Sequence, residues 1–424
     1  MMKVLAKLNN ATGLLKYLLL LSFYYLAYRY PFQINSAETS PTYSDTPFAL
    51  QALKYLLFFL ICTVFFLNSV RGKRRMVVSR EHLLDFLFFG VVFALPIGYS
   101  LLTSDTVLLQ TGIFFGALLL YFISRRKEID ILQIRKWISV FLGLSIVVEL
   151  IQLALYFGTG RLPALGYPNS ISLRFGSIWD DPNGFAFMIC FFIPFVLAKR
   201  MKLAPKVMLT SVLLIMLVLT QSLTGIFALA VALIVGVFLL GVLVRKRQYW
   251  LQGFSLLGLY VMGMLFVVTV VLNLPIIKHF LELKSGSIDD HIEMMGLIQK
   301  AKLLNYVGLN PVGMIAETGY INIVCNFGLV YLVLYVAMLA YAAFRLIRKI
   351  RDNVGRQGVE VYYGAFFFVL SFAFGMGNLP LDTVFPLNLI LVACIMLSYN
   401  RAELVPATPA QSDAPLGQRN LIAS

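Results

Sequence analysis

Apolar runs of about 14 to 25 residues, broken by short polar stretches, recur along the whole chain, most of them long enough to cross a hydrocarbon layer of roughly 30 Å. They predict helices near 14–30, 48–70, 83–103, 106–124, 137–158, 184–198, 207–220, 225–244, 251–273, 320–344, 361–378 and 386–400. This pattern predicts an all-α fold, a polytopic membrane protein of about 12 transmembrane helices. The longest polar interval, 274–319, lies between the ninth and tenth predicted helices.

Charge gives the array a direction. Every second connection is basic: Arg71, Lys73, Arg74, Arg75 and Arg80; Arg125, Arg126, Lys127, Arg135 and Lys136; Lys199, Arg200, Lys202 and Lys206; Arg245, Lys246 and Arg247; then Arg345, Arg348, Lys349, Arg351 and Arg356. Lys3, Lys7, Lys16, Arg401 and Arg419 place the termini with them. Cationic connections stay in the cytoplasm, so both termini are expected there and the large 274–319 loop on the opposite, external side of the membrane.

Composition agrees. The chain is 60% hydrophobic and 13% charged, where a soluble domain averages about 25% charged. Its net charge of +15 is accounted for mainly by topology, so nucleic acid is not an expected partner. The first apolar run ends at Tyr28-Arg29-Tyr30-Pro31, a poor small-residue cleavage site, and reads as an uncleaved span. Cys62, Cys190, Cys325 and Cys394 fall inside predicted spans without a CxxC spacing, as apolar fillers rather than metal ligands or disulfide partners. Residues 1–401 form a single expected membrane domain; 402–424, rich in Pro, Ala and Ser, is an expected disordered cytoplasmic tail. No internal repeat is evident.

Two outer connections break the charge rule. Thr159–Asn183 and Leu274–Gly319 carry Arg161, Arg174, Lys278, Lys284, Lys300 and Lys302, with His279 and His291. Cations where topology disfavours them point to an anionic ligand, and the arginine fork suits two phosphate oxygens at once. In the first loop, Asp180, Asp181 and Asn183 precede a predicted span; Asp181-Pro182-Asn183-Gly184 also reads as a helix start, with Pro fixing the first turn. Arg174 is open to ligand binding, a headgroup anchor or an ion pair with Asp180. In the second loop, Ser287 and Asp290 resemble a capping box and Gly308 with Pro311 a stop, predicting a helix near 288–307. His291 and Lys302 would share one face, about 16 Å apart, and Glu293 and Lys300 another. His291 is either a cap or a general base, and Glu317 either complements the next helix's dipole or acts as a base. Glu149 and Gln152 lie within the fifth span, where a carboxylate is costly; a water-filled cavity, a neutral state or a proton path would each account for it. Lys54 and Asp85, near span ends, can snorkel.

Arg174-Phe-Gly-Ser-Ile-Trp-Asp-Asp-Pro-Asn-Gly184 resembles the segment entering a central span in the bacterial O-antigen ligase and polymerase superfamily. His291-Ile-Glu-Met-Met-Gly296, Asn310-Pro-Val-Gly313 and Glu317-Thr-Gly-Tyr-Ile-Asn-Ile323 with Gly328 are similar to its large periplasmic loop and following helix, and Ser222-Leu-Thr-Gly225 to a small-residue turn. The resemblance spans roughly 140–400. It implies a metal-independent membrane glycosyltransferase with no cofactor. The donor and acceptor would be undecaprenyl-diphosphate-linked glycans, used at the outer boundary of the lipid bilayer; a chain-length regulator is a further possible partner. Arg174 would bind the diphosphate, with Arg161, Asp180, Asn183, Lys278, His279 and Lys302 around it. His291 would activate the acceptor hydroxyl or contact the diphosphate, and Glu317 would support one of those roles. The chain departs from the family in having no arginine in Leu274–Gly319; Lys278 with His279 is the first substitute for the second phosphate contact. The Asn-Pro-x-Gly and Glu-Thr-Gly-Tyr strings favour a surface-polysaccharide polymerase, ahead of a ligase that transfers the glycan to lipid A core. A lipid-linked oligosaccharide flippase or other transporter is the alternative from another class, and the sparse charge inside spans argues against it.

Overall fold

In the computed structural model of this chain, the described residues are 129–159, 175–179, 182–245, 247–269, 319–375, 387–400 and 404. They hold eight helices: α1 (Ile131–Thr159), α2 (Pro182–Ala198), α3 (Leu203–Leu219), α4 (Leu223–Val244), α5 (Arg247–Thr269), α6 (Gly319–Asp352), α7 (Val359–Gly375) and α8 (Leu387–Ser398). Among the described residues helix accounts for 87% and there is no strand, so the all-α expectation holds there. Ile131–Gly158, Leu223–Val244 and Gly328–Asp352 are long and apolar enough to cross a membrane. The four predicted spans before residue 128 and the loop helix near 288–307 lie outside the described residues.

The eight helices match the last eight predicted spans, with shifted ends. α1 begins at Ile131 rather than near 137, and α6 continues to Asp352 rather than stopping near 344. In both cases the backbone hydrogen-bond ladder runs on past the apolar stretch into cationic sequence, because hydropathy marks only the part inside hydrocarbon. Asp130 caps α1, its carboxylate accepting from the Leu132 and Gln133 amides at 3.0 and 3.1 Å. α6 is not a single rod. Gly328, at φ 84° and ψ 168°, breaks it into a short N-terminal piece and a long C-terminal piece; only glycine occupies that region without strain.

α7 lies at the centre and packs against α2, α4, α6 and α8; α2 also packs on α3 and α4, and α4 on α5. The core is rich in phenylalanine: Phe185, Phe187, Phe192 and Phe195 of α2 and Phe366, Phe368 and Phe372 of α7 are all fully buried in one cluster, and the Phe191 and Phe368 rings meet across the two helices at 6.3 Å. With lipid outside, such helices associate through close packing more than through water exclusion, so small residues at crossings matter. A Cβ at Gly375 would fall 2.1 Å from the Phe187 ring, and one at Gly225 2.4 Å from the Ala186 Cβ. Gly375→Leu should therefore destabilise the bundle by about 1–3 kcal/mol or more, as overpacked cores do; loss of the monodisperse peak after mild heating in detergent would register it.

The bundle has two chemically distinct ends. At one, the side chains of the predicted basic connections converge. Arg135 Nε lies 2.5 Å from Glu360 Oε1. Arg200 donates to the Gly355 carbonyl at 2.6 Å, Arg356 to the Leu404 carbonyl at 3.2 Å, and Lys199 to Ser139 Oγ at 3.4 Å. The Arg345 guanidinium stacks 3.8 Å from the Tyr399 ring centroid. Burial, and next the like charge of Arg135, hold the Lys199 ammonium below the ordinary lysine value, while Glu360 pulls the other way. Leu404, inside the predicted tail, is buried against this end; the tail beyond it lies outside the described residues.

Candidate functional site

At the opposite end, polar groups are drawn inside. Ser145, Glu149 and Gln152 recur at i, i+4 and i+7 on α1, so they share one face of an otherwise apolar helix. Helix spacing thus builds a polar stripe, and all three residues are buried. The segment 175–179 lies over it. Ser177 Oγ donates to the Ser145 carbonyl at 2.6 Å, and Gln152 Nε2 donates to the Ser177 carbonyl at 2.7 Å. Phe175 N–H bonds to the Leu219 carbonyl at the end of α3 at 3.1 Å, and Trp179 N–H to the Gly176 carbonyl at 2.8 Å.

Five successive residues of non-helical chain are consequently buried at the bundle end, with Phe175, Ser177 and Trp179 at most 1% exposed. Such backbone is tolerated at membrane depth only where protein supplies its hydrogen bonds. Ser177 sits at φ 54°, a left-handed conformation that costs a non-glycine residue on the order of 1 kcal/mol. The two bonds to α1 hold it there. Gln152→Leu should leave the Ser177 carbonyl without that donor and cost about 1–3 kcal/mol, read as a lower unfolding midpoint and faster proteolytic cleavage between α1 and α2.

The turn from α3 to α4 completes this end. Ser222 caps α4, its Oγ accepting from the Gly225 amide at 3.0 Å. Thr220 Oγ1 accepts from Ser222 N–H at 3.2 Å and donates to the Leu217 carbonyl at 2.7 Å. Gly225 brings the start of α4 onto Ala186 of α2. The Ser222–Gly225 motif is thus a helix start held close to the segment after Arg174.

Within this network one carboxyl stands out. The Glu149 carboxyl is 0% exposed; the Ser177 main-chain amide interacts with it, but neither oxygen accepts a hydrogen bond of good geometry. The Trp179 indole nitrogen, on the segment covering the stripe, is likewise unmatched. Buried polar atoms are nearly always paired, so an under-satisfied carboxyl held beside a strained loop calls for an explanation beyond folding.

Of the residues singled out from sequence, Asn183 is described: it is the second residue of α2 and half-buried. The helix starts at Pro182, as the Asp-Pro-Asn-Gly string predicts. Arg161, Arg174, Asp180, Lys278, His279, His291, Lys302 and Glu317 lie outside the described residues, as do Asp181, Lys284, Glu293 and Lys300. Arg174 and Asp180 immediately flank the docked segment in sequence. Sequence reasoning picked out Glu149 and Gln152 but missed Ser145, Ser177 and Trp179; the i, i+4, i+7 polar stripe was the available signal for Ser145. Among the described residues no group of three His, Cys, Asp or Glu side chains is placed to hold a metal ion. Cys190 and Cys394 are buried free thiols. Neither the protein-family models nor the curated proteins compared with this chain give a match.

Proposed function

We propose that this chain is a surface-polysaccharide polymerase of the O-antigen type, a twelve-span enzyme of the bacterial inner membrane with both termini cytoplasmic. The observation that carries this reading is the buried docking of 175–179 on the polar face of α1, at the end of the bundle opposite the cation cluster. A buried segment held at main-chain and serine groups in this way can serve as a support for its sequence neighbours Arg174 and Asp180. The docked residues 175–179 lie inside the family-like string Arg174–Gly184, which supports the reading that this string belongs to the site.

In this reading Arg174 grips the diphosphate of the lipid-linked donor, assisted by Arg161 and by the lysines and His279 of the 274–319 loop. His291 or Glu317 takes the proton of the acceptor sugar hydroxyl as that oxygen attacks the anomeric carbon. The bond from that carbon to the diphosphate oxygen breaks, and the polyprenyl diphosphate leaves with its negative charge balanced by guanidinium and ammonium groups. Catalysis then needs positioning and charge stabilisation, which suits a chain with cations in its outer loops.

Deleting the gene and resolving lipopolysaccharide on a gel tests the proposal. A polymerase deletion leaves single repeats on the core. Bare core with accumulating lipid-linked chains would mark a ligase instead. Purified protein that moves lipid-linked repeats across proteoliposomes without forming glycosidic bonds would mark a transporter.

A further inference from the structure

The cation-rich end contains a cavity of about 920 Å³ among α2, α4, α5, α7 and the loop from α6 to α7. Two kinds of wall meet in it. Arg135, Arg200 and Arg356 line it, together with Gln248 and Gln252 on the first turns of α5. Apart from Glu360, Gln357, Ser255 and the Tyr249 and Tyr363 hydroxyls, which bond to each other, the remainder is apolar, including Leu233, Val237 and Leu240 of α4, Leu256 of α5 and Phe367 of α7. Leu233 precedes the end of α4 by eleven residues, which at 1.5 Å per residue carries this wall about 16 Å toward the middle of the bundle. The cavity is therefore polar and positive at the helix ends and greasy along its depth.

The charge balance is specific. Glu360 is the acidic group in the lining, and it is held by Arg135 and by the Gly358 amide at 3.1 Å. Arg200 and Arg356 each donate to a main-chain carbonyl, Gly355 and Leu404 respectively. Among the described residues no carboxylate forms an ion pair with either guanidinium, and a guanidinium has five N–H donors, so several remain for a ligand. The Gly355 turn that receives Arg200 has φ 86°; a side chain there would be strained and would crowd the guanidinium, whose Nη2 lies 3.4 Å from the Cβ position.

We infer that this cavity is a binding site for an anionic phospholipid, with the headgroup phosphate between Arg200 and Arg356 and an acyl chain along the α4–α5–α7 wall. A soluble phosphate would use the arginines but gain nothing from the apolar depth. A zwitterionic lipid carries its own ammonium next to the phosphate, where two guanidinium groups repel it. The combination of net positive charge and apolar depth selects a lipid with net negative charge.

The test uses the full-length protein, purified and delipidated in detergent. Dioleoyl phosphatidylglycerol, dioleoyl phosphatidylcholine and sodium phosphate are added separately, with binding followed by native mass spectrometry and by thermal shift. Phosphatidylglycerol should bind at least about tenfold more tightly than phosphatidylcholine, and Arg200→Gln with Arg356→Gln should remove that preference. Arg245→Gln, at the same end but outside the cavity lining, should leave it intact. Because the two arginines also hold the loop and Leu404, Gln252→Glu serves as a second variant: it breaks no observed bond and should repel the anionic lipid by a similar factor. Equal binding of both lipids, full binding by Gln252→Glu, or displacement of the lipid by phosphate alone would each overturn the assignment.

Discussion

Replacing Arg174 with alanine should abolish chain elongation while protein level and membrane insertion stay normal. If the guanidinium carries part of the leaving diphosphate's charge, its loss should reduce the rate by roughly 100-fold or more, as removal of a transition-state donor does elsewhere. Arg174→Lys should restore little, since an ammonium offers one point of charge in place of a two-pronged fork. The control lies in the docked segment: Phe175 and Ser177 are tied to α3 and α1 through main-chain and serine groups, so the Arg174 side chain can be removed without cutting those bonds. Lipopolysaccharide ladders, read beside an immunoblot of the membrane fraction, decide the matter. A full ladder from the lysine variant would rule out bidentate phosphate binding. His291→Ala should be comparably severe; normal chain length there would make His291 a helix cap and Glu317 the better base.

The second large effect concerns Glu149. Glu149→Leu should make the protein more stable and less active. The carboxyl is fully enclosed, with the Ser177 amide near it but no hydrogen bond of good geometry, and relieving an under-satisfied buried polar group is worth about 1–3 kcal/mol. Its place beneath the segment between Arg174 and Asp180 ties it to the proposed site, so under the proposed function polymerisation is the activity to measure. Unfolding midpoints in detergent should rise as ladders shorten or disappear. Glu149→Gln separates shape from charge: it keeps the volume and loses the acid. If both variants polymerise normally, Glu149 is a structural residue and the outer end must be explained by its loops alone.

The helices were legible because their cause is one-dimensional. A long apolar run in lipid satisfies its backbone most simply as a helix, so the positions of α1 to α8 along the chain could be read, although only three of them are long enough to span by length and composition. Their ends were less legible, since Arg135 and the run Arg345–Arg351 are helical yet polar, and hydropathy falls silent where hydrogen bonding continues. The break at Gly328 was hidden for a related reason: a glycine between Phe327 and Leu329 changes nothing in the apolar count. The clamp on the outer segment was out of reach because the Ser145–Ser177 bond joins residues 32 apart in sequence. No local pattern specifies such a pairing. Gln152 could be recognised as a polar misfit, but its partner could not be named.

Gly328 fixes more than a bend. Beyond it, the short N-terminal piece of α6 is oriented by its own contacts, among them the Tyr320 hydroxyl donating to the Ala373 carbonyl of α7. A residue that restored regular helix at 328 would impose about 100° of azimuth per residue on everything before it, turning Tyr320 away from that carbonyl. The single missing side chain thus acts as a swivel. It uncouples the facing of Gly319–Phe327 from the facing of the long rod behind it, so the two ends of one helix answer to different neighbours.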